Sequence, residues 1–294
     1  MKWDKQRIWF LVLCFVAGFT AACAKPLREP AVPQLPPDVT VVEETVYDGK
    51  TFVNTLELPA GPYAQFALPK MTKLVHEKHG LNADTVAWLK VPSTTIDDVV
   101  VWYPNDQNEY YLRRNFEKRS DFNGIFFADY RCEFDGTAKG LSSNTVIYGH
   151  SMSDDPLDYR KQFSPLKFFQ TEEFARQTPY IYLSTFEEDL VFEVFTVMFS
   201  SINLIYNSPE PDDFGAIIAE CRARSLYNYD VEVTENDKIL TLSTCTYSLP
   251  DGRRFPLVTA ENGYRYVVMA KLVTDKSNLK NEASLTVNPN LKAP

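Results

Sequence analysis

The sequence predicts a mainly β fold with a few helices. Its 294 residues include 16 Tyr and 20 Phe, which favour strands. Short strand-like runs recur along the chain, among them residues 144–152 (NTVIYGHSM), 240–247 (LTLSTCTY) and 265–273 (RYVVMAKLV). With 45% hydrophobic residues, the chain can bury one large core or two small ones.

The N-terminal segment, residues 1–24, has the pattern of a targeting sequence. Lys2, Lys5 and Arg7 precede an uncharged run over residues 8–24, which is just long enough to span a membrane and long for a cleaved signal. Three interpretations stay open: a retained membrane anchor, a cleaved signal, or a lipid-modified Cys23. Each places residues 25 onward outside the cytoplasm, and a retained anchor would hold them at the cell membrane.

Residues 25–45 follow as a proline-rich linker, which includes Pro-Gln-Leu-Pro-Pro at 33–37. Loosely helical apolar spacing predicts a helix over residues 62–79. Residues 86–104 then read as strand, turn, strand. The polar segment 274–294 has no periodicity, and we expect it to be disordered.

Further strands are predicted at residues 180–184 and 190–199. A helix is predicted after Pro211, because apolar residues recur there at i, i+3, i+4 and i+7. Those residues are Phe214, Ile217, Ile218 and Cys221.

Composition excludes several classes of function. The net charge of −9 leaves no basic stripe for nucleic acid. Five cysteines are too few and too scattered for a disulfide framework. Cys132 and Cys221 are expected to pack in the core, although a bridge between them stays open.

No metal or other cofactor is expected. His76 and His79 resemble a metal-ligand spacing only superficially, because no cysteine or carboxylate pattern accompanies them. They are better explained as residues of a solvated helix terminus.

A cysteine and a histidine each end a strand-like run, at Cys245 and His150. Only a thiolate is a good nucleophile, and a neighbouring imidazole can supply the base that forms it. The next apolar strand begins near Arg265. Because the end of one antiparallel strand lies beside the start of the next, Cys245 and Arg265 should meet at one rim of the sheet.

The segments TLSTC, IYGH and RYVVMAKLV resemble the signature segments of sortases, the cysteine transpeptidases that attach proteins to the bacterial cell wall. The resemblance covers roughly residues 46–273 and is closest to class B, where a stretch like Trp88 to Ile96 opens the barrel. It implies a closed sortase-type β-barrel with an N-terminal helix. A second helix, in the loop before the cysteine strand, would form one wall of the substrate groove.

The same resemblance implies roles for the candidate residues. Cys245 would attack a threonine carbonyl in the C-terminal sorting signal of a secreted protein. His150 would protonate the leaving amine and later deprotonate an incoming amine of a peptidoglycan precursor or a pilin. Arg265 would hold the substrate and stabilise the oxyanion. Substrate contacts are expected from three residues of the two motifs, namely Ser243, Thr244 and Tyr148.

Some assignments stay open. Arg253 and Arg254 lie in the loop between Cys245 and Arg265, but Arg265 is preferred because it directly precedes the apolar strand. Tyr247 stands where some class B members carry an acid, so any acidic third member is undetermined. Asp154 and Asp155, although close to His150 in sequence, are given no role.

Two rival interpretations remain. One is a catalytically inactive surface scaffold with a sortase fold, which the intact cysteine, histidine and arginine argue against. The other is a different cysteine peptidase or L,D-transpeptidase. Papain-like enzymes have the cysteine before the histidine, and the Ser-His-Gly-Cys context of L,D-transpeptidases is absent here.

Overall fold

The structure is a computed structural model that describes residues 39–47, 50–58, 70–105, 108–151, 154, 162–254 and 263–294. The predicted segment 1–24 lies outside these residues, as do most of the predicted linker and residues 62–69 of the first predicted helix. Within the described ranges, no helix is long and apolar enough to cross a bilayer.

The described residues form twelve strands. They are β1 (Val39–Tyr47), β2 (Lys50–Leu58), β3 (Thr85–Lys90), β4 (Asp97–Val101), β5 (Phe127–Ala128), β6 (Asn144–Tyr148), β7 (Tyr180–Ser184), β8 (Asp189–Ser201), β9 (Tyr227–Tyr229), β10 (Ile239–Thr246), β11 (Tyr264–Leu272) and β12 (Leu285–Val287). Eight of them close a barrel in the order β10-β11-β8-β7-β3-β4-β5-β6. The predicted mainly β fold with a closed barrel is therefore confirmed.

Two strand pairs lie outside the barrel and change the predicted boundaries. β1 pairs with β2 and begins at Val39, so residues 39–45 are paired strand where a linker was expected. β12 pairs with β9, through Leu285 opposite Tyr229 and Val287 opposite Tyr227. The expectation of disorder over 274–294 is therefore wrong for Leu285–Val287, because a distant strand supplies hydrogen bonds that a local pattern cannot reveal.

The helices are short and pack on the barrel. They are α1 (Thr72–Leu81), α2 (Glu172–Gln177), α3 (Phe214–Ala223) and 3-10 turns at Tyr111–Arg113, Ser164–Gln170 and Lys276–Asn278. α3 confirms the helix predicted after Pro211. The Asp213 side chain caps it by accepting a 2.9 Å hydrogen bond from the amide of Ala216.

β10 is buried on both faces, which fixes the alternation of its side chains. Leu240 and Leu242 belong to the barrel core. Ile239 faces outward and packs in a second cluster with Phe214, Ile218 and Cys221 of α3. Side chains two residues apart share a face, so Thr241, Ser243 and Cys245 continue the outward face of the strand, as predicted.

The histidines considered as metal ligands contact the backbone, and the cysteines considered as disulfide partners are buried thiols. His76 and His79 contact backbone carbonyls of Phe186 and Thr85 at 2.9 and 3.0 Å. No group of three or more metal-ligating side chains occurs among the described residues. Cys132 and Cys221 are both free and buried.

Candidate active site

Cys245 lies near the end of β10, opposite Arg265 on β11. The two residues are direct partners in the antiparallel register, between the pairs Thr244–Tyr266 and Thr246–Tyr264. The sequence-based expectation that they meet at one rim is confirmed. The Cys245 side chain is half-buried, so a substrate can reach it while neighbouring groups still shape its surroundings.

His150 reaches the same rim on the other side of β10. β6 runs parallel to β10, and their last pair is Tyr148 opposite Ser243. His150 and Cys245 each follow that pair by two residues. Adjacent strands lie about 4.8 Å apart, so the imidazole and the thiol belong to neighbouring positions at one sheet end.

One ring nitrogen of His150 contacts a carbonyl group. Its Nε2 lies 2.7 Å from the carbonyl oxygen of Leu112 and 3.3 Å from Nη1 of Arg113. A carbonyl oxygen can only accept, so the shorter contact favours the tautomer with hydrogen on Nε2. In that tautomer Nδ1 is the ring nitrogen that can accept a proton.

Hydroxyl groups of β10 tie the two strand ends together. Thr244 Oγ1 donates to the carbonyl oxygen of Gly149 at 2.7 Å, immediately before His150. Ser243 Oγ lies 2.8 Å from the hydroxyl of Tyr206. Burial raises the pKa of Tyr206 to about 12, so this phenol stays protonated. The hydroxyls of Ser243 and Thr244 thus form hydrogen bonds within the barrel, and both residues also line the groove.

A groove of about 410 Å³ runs over this rim. All six residues singled out from the sequence line it, namely Cys245, His150, Arg265, Ser243, Thr244 and Tyr148. The barrel register brings them together although 115 positions separate His150 from Arg265 (265 minus 150). The groove is large enough for a short peptide segment.

The rest of the lining comes mostly from loops and turns and was not anticipated. These residues are Asn108, Glu109, Leu112, Ile202, Leu204, Tyr206 and Asn207, together with Phe127 and Gly149. The loop 202–207, which precedes α3, therefore forms the groove wall that the helix itself was expected to form. Residues of α3 line a neighbouring depression that shares Leu204. Loop residues carry no periodic signal, so the sequence had nothing that could reveal this lining.

Tyr148 is held by a buried carboxylate. Its hydroxyl donates to Asp129 at 2.9 Å and accepts from Asn207 at the same distance. Burial raises the pKa of Asp129, but the hydrogen bonds from Arg131, Asn108 and Tyr148 together outweigh burial, so the pKa lies below its usual range. The ionised Asp129 fixes Tyr148 as part of the groove wall.

The three candidate arginines differ in their surroundings. Arg265 is half-buried beside Cys245, with Nη1 donating to the Tyr264 carbonyl at 3.2 Å. Arg253 is paired with Asp251, with 2.6 Å between Nε and Oδ2. Arg254 is exposed and forms an isolated backbone bridge to Ser248. The geometry thus favours Arg265 as the groove cation.

Gly149 permits close packing under His150. A Cβ atom at this position would lie 2.8 Å from Cδ2 of Phe163 and 2.9 Å from Cδ1 of Phe126. Those two rings are buried and stacked, with centroids 4.6 Å apart. The sequence IYGH therefore needs its glycine for space next to the aromatic core.

We expect Gly149→Ala to destabilise the fold by about 1–3 kcal/mol, because the added methyl group overpacks this core. Chemical denaturation followed by fluorescence measures the change. Gly80→Ala is the matched control, since a Cβ at Gly80 in α1 meets no atom within 4 Å. Equal unfolding midpoints for Gly149→Ala and the wild type would contradict the packing argument.

Comparisons with known proteins agree with this geometry. The chain is 30% identical over 200 residues to sortase B of Listeria monocytogenes, covering 66% of this chain and 72% of that protein. It is 29% identical over 196 residues to sortase B of Staphylococcus aureus, with the same shares. A solved Staphylococcus aureus sortase B–substrate complex matches with a TM-score of 0.57 and 25% identity, covering 69% of this chain and 85% of that one. No protein-family model matches.

Proposed function

Because this chain belongs to the sortase B family of cysteine transpeptidases, we propose that it cleaves a sorting signal after threonine and transfers the protein to an amine. The observation that carries the proposal is the groove in which Cys245, His150 and Arg265 converge. The relative from Staphylococcus aureus has been solved as a complex with its substrate, which supports a peptide ligand in the corresponding groove.

The first half of the reaction acylates the enzyme. The Cys245 thiolate attacks the threonine carbonyl carbon, and a carbon–sulfur bond forms as the carbonyl oxygen gains negative charge. Arg265 donates hydrogen bonds to that oxygen from a fixed guanidinium. When the peptide carbon–nitrogen bond breaks, the leaving amine takes a proton from His150. The product is a thioester on Cys245.

The second half transfers the acyl group. An amine of a peptidoglycan precursor or a pilin attacks the thioester carbon and gives its proton to His150. The carbon–sulfur bond breaks and Cys245 is restored. The groove is open on the rim of the barrel, which gives both the peptide and the acceptor access to the same carbonyl.

We also propose that the enzyme acts outside the cytoplasm at the cell membrane. The basic residues Lys2, Lys5 and Arg7 before the uncharged run 8–24 support an N-terminal anchor or signal. Its substrates would be secreted proteins that carry a C-terminal sorting signal. Mass spectrometry of the protein incubated with threonine-containing peptides tests the proposal, since a thioester on Cys245 must appear.

A pH–rate profile with one peptide tests the role of His150. The wild type should give a bell-shaped profile, because attack and leaving-group protonation need the thiol and the imidazole in opposite protonation states. His150→Ala should remain inactive even when high pH ionises Cys245, because no acid remains for the leaving amine. Recovery of wild-type cleavage by the variant at high pH would show that His150 only ionises the thiol.

A further inference from the structure

A buried ion pair lies beside the groove and has no part in the reaction proposed above. Lys167, on the 3-10 turn Ser164–Gln170, has a side chain that is 0% exposed, and its ammonium group contacts the carboxylate of Asp154. Asp154 is four residues after His150. Such pairs are costly to bury, and apolar residues often replace them without loss of stability. An ion pair at this position is therefore better explained by the arrangement of the chain that it fixes than by a gain in stability.

Asp154 holds the chain that follows the cysteine. Its carboxylate accepts from the amide of Tyr247 at 3.0 and 3.1 Å and from the hydroxyl of Ser248 at 2.7 Å. The hydroxyl of Thr246 adds a contact of 3.2 Å. All three groups belong to residues 246–248, directly after Cys245. The single carboxylate of Asp154 thus fixes the segment that directly follows Cys245.

Lys167 extends the connection to the residue after His150. Its Nζ donates to the hydroxyl of Ser151 at 3.0 Å, and Ser151 is 0% exposed. Together, Asp154 and Lys167 contact the chain immediately after both His150 and Cys245. The parallel pairing of β6 and β10 ends at Tyr148 and Ser243. The contacts of Asp154 and Lys167 therefore link the two chain segments beyond the last paired residues of these strands.

The electrostatic surroundings keep the Asp154 carboxylate charged. Burial raises the pKa of Asp154, but the charge of Lys167 and the hydrogen bonds from the chain after Cys245 outweigh burial, so the pKa lies below its usual range. Burial lowers the pKa of Lys167, and the negative charges of Asp154 and of an ionised Cys245 oppose that effect.

We propose that Asp154 and Lys167 are positioning residues that hold Cys245 at its working distance and angle from His150. Neither residue is among the described residues that line the groove. They act through Ser151 on one strand end and through Thr246, Tyr247 and Ser248 on the other. The inference rests on the proposed function, since it assigns the pair to the geometry of acyl transfer.

The test uses Asp154→Asn, Lys167→Met and the double variant. Asp154→Asn leaves the buried Lys167 charge without its partner, and Lys167→Met does the same to the partly buried Asp154 carboxylate, so both should lower the melting temperature. The double change removes both charges at similar volume and should recover much of that loss. We expect all three to lower kcat about 10- to 100-fold, the scale of a small misplacement of reacting groups, with KM changed less than about twofold.

Asp237→Asn is the matched control. Asp237 pairs with Lys271 at 3.1 Å and accepts from the amide and hydroxyl of Thr234, so its bonding resembles that of Asp154. Lys271 lies opposite Ile239, at the end of β10 and β11 away from the groove. This variant can lose stability but should keep the wild-type kcat. A kcat loss equal to that of Asp154→Asn would overturn the inference.

A second readout separates this inference from the proposed function. The alkylation rate of Cys245 by iodoacetamide, followed on its own peptide by mass spectrometry, reports the surroundings of the thiol whether or not acyl transfer occurs. If the wild type forms no thioester while Asp154→Asn still changes alkylation severalfold, the proposed function fails and the positioning role stands. A double variant that matches the wild type in kcat and in alkylation rate would overturn the positioning role, whatever its stability.

Discussion

Cys245→Ala will abolish thioester formation and leave the fold intact. The variant lacks the thiol that shares the groove with His150 and Arg265, and loss of the catalytic nucleophile of a serine protease costs on the order of 10⁶-fold in rate. Because Cys245 is half-buried at a strand end, deleting its sulfur should cost no more than about 1 kcal/mol. Intact-mass spectrometry measures the acyl-enzyme, and thermal unfolding measures the fold.

Cys221→Ala is the matched control for this prediction. Cys221 is a free, fully buried thiol in the cluster under α3, and burial raises its pKa to about 12. Its replacement should lower stability and keep acyl-enzyme formation at a rate close to that of the wild type. Peptide cleavage retained by purified Cys245→Ala would overturn the assignment of the nucleophile.

Arg265→Lys should reduce the acylation rate by about two to three orders of magnitude. A lysine keeps the positive charge but loses the planar guanidinium, which can donate to an oxyanion and a substrate carbonyl together. Removing one fixed oxyanion donor has an effect of about this size in other enzymes. Since Arg265 is the cross-strand partner of Cys245, the loss should appear in kcat more than in KM. Single-turnover acylation with one peptide measures it.

The neighbouring arginines provide internal controls. Arg253→Lys should have little effect, because Arg253 is engaged with Asp251 and its side chain is 51% exposed. Arg254→Lys should also be tolerated, since Arg254 takes no part in the lining of the groove. A crippling effect of Arg254→Lys with an active Arg265→Lys would mean that the loop cation, and not the strand cation, stabilises the oxyanion.

Local sequence patterns were sufficient to predict the strands that carry the proposed catalytic residues. Period-two alternation predicted that Cys245 shares the outward face of β10 with Ile239, and the second apolar cluster confirms that face. The order strand, loop, strand predicted Cys245 beside Arg265, and the antiparallel register confirms it. α3 was predicted by its spacing because one of its faces packs on the barrel.

Features that depend on distant partners were missed or misplaced. Leu285–Val287 form a short run inside a polar segment, and only their pairing with β9 makes them a strand. Asp154 had no role in the sequence analysis, because a single carboxylate carries no periodic signal. Its contacts with Tyr247 and Lys167 appear only once the loops fold together.

The sequence by itself predicted the barrel strands other than β5, the helix before the cysteine strand, and the cysteine, histidine and arginine that the proposed chemistry uses. These follow from patterns within single elements and from the pairing of neighbouring ones. Tertiary structure alone revealed the groove wall at 202–207, the different surroundings of the three arginines, and the pair of Asp154 and Lys167. The physical reason is that hydrogen bonds and burial between distant segments depend on three-dimensional approach, which no local spacing records.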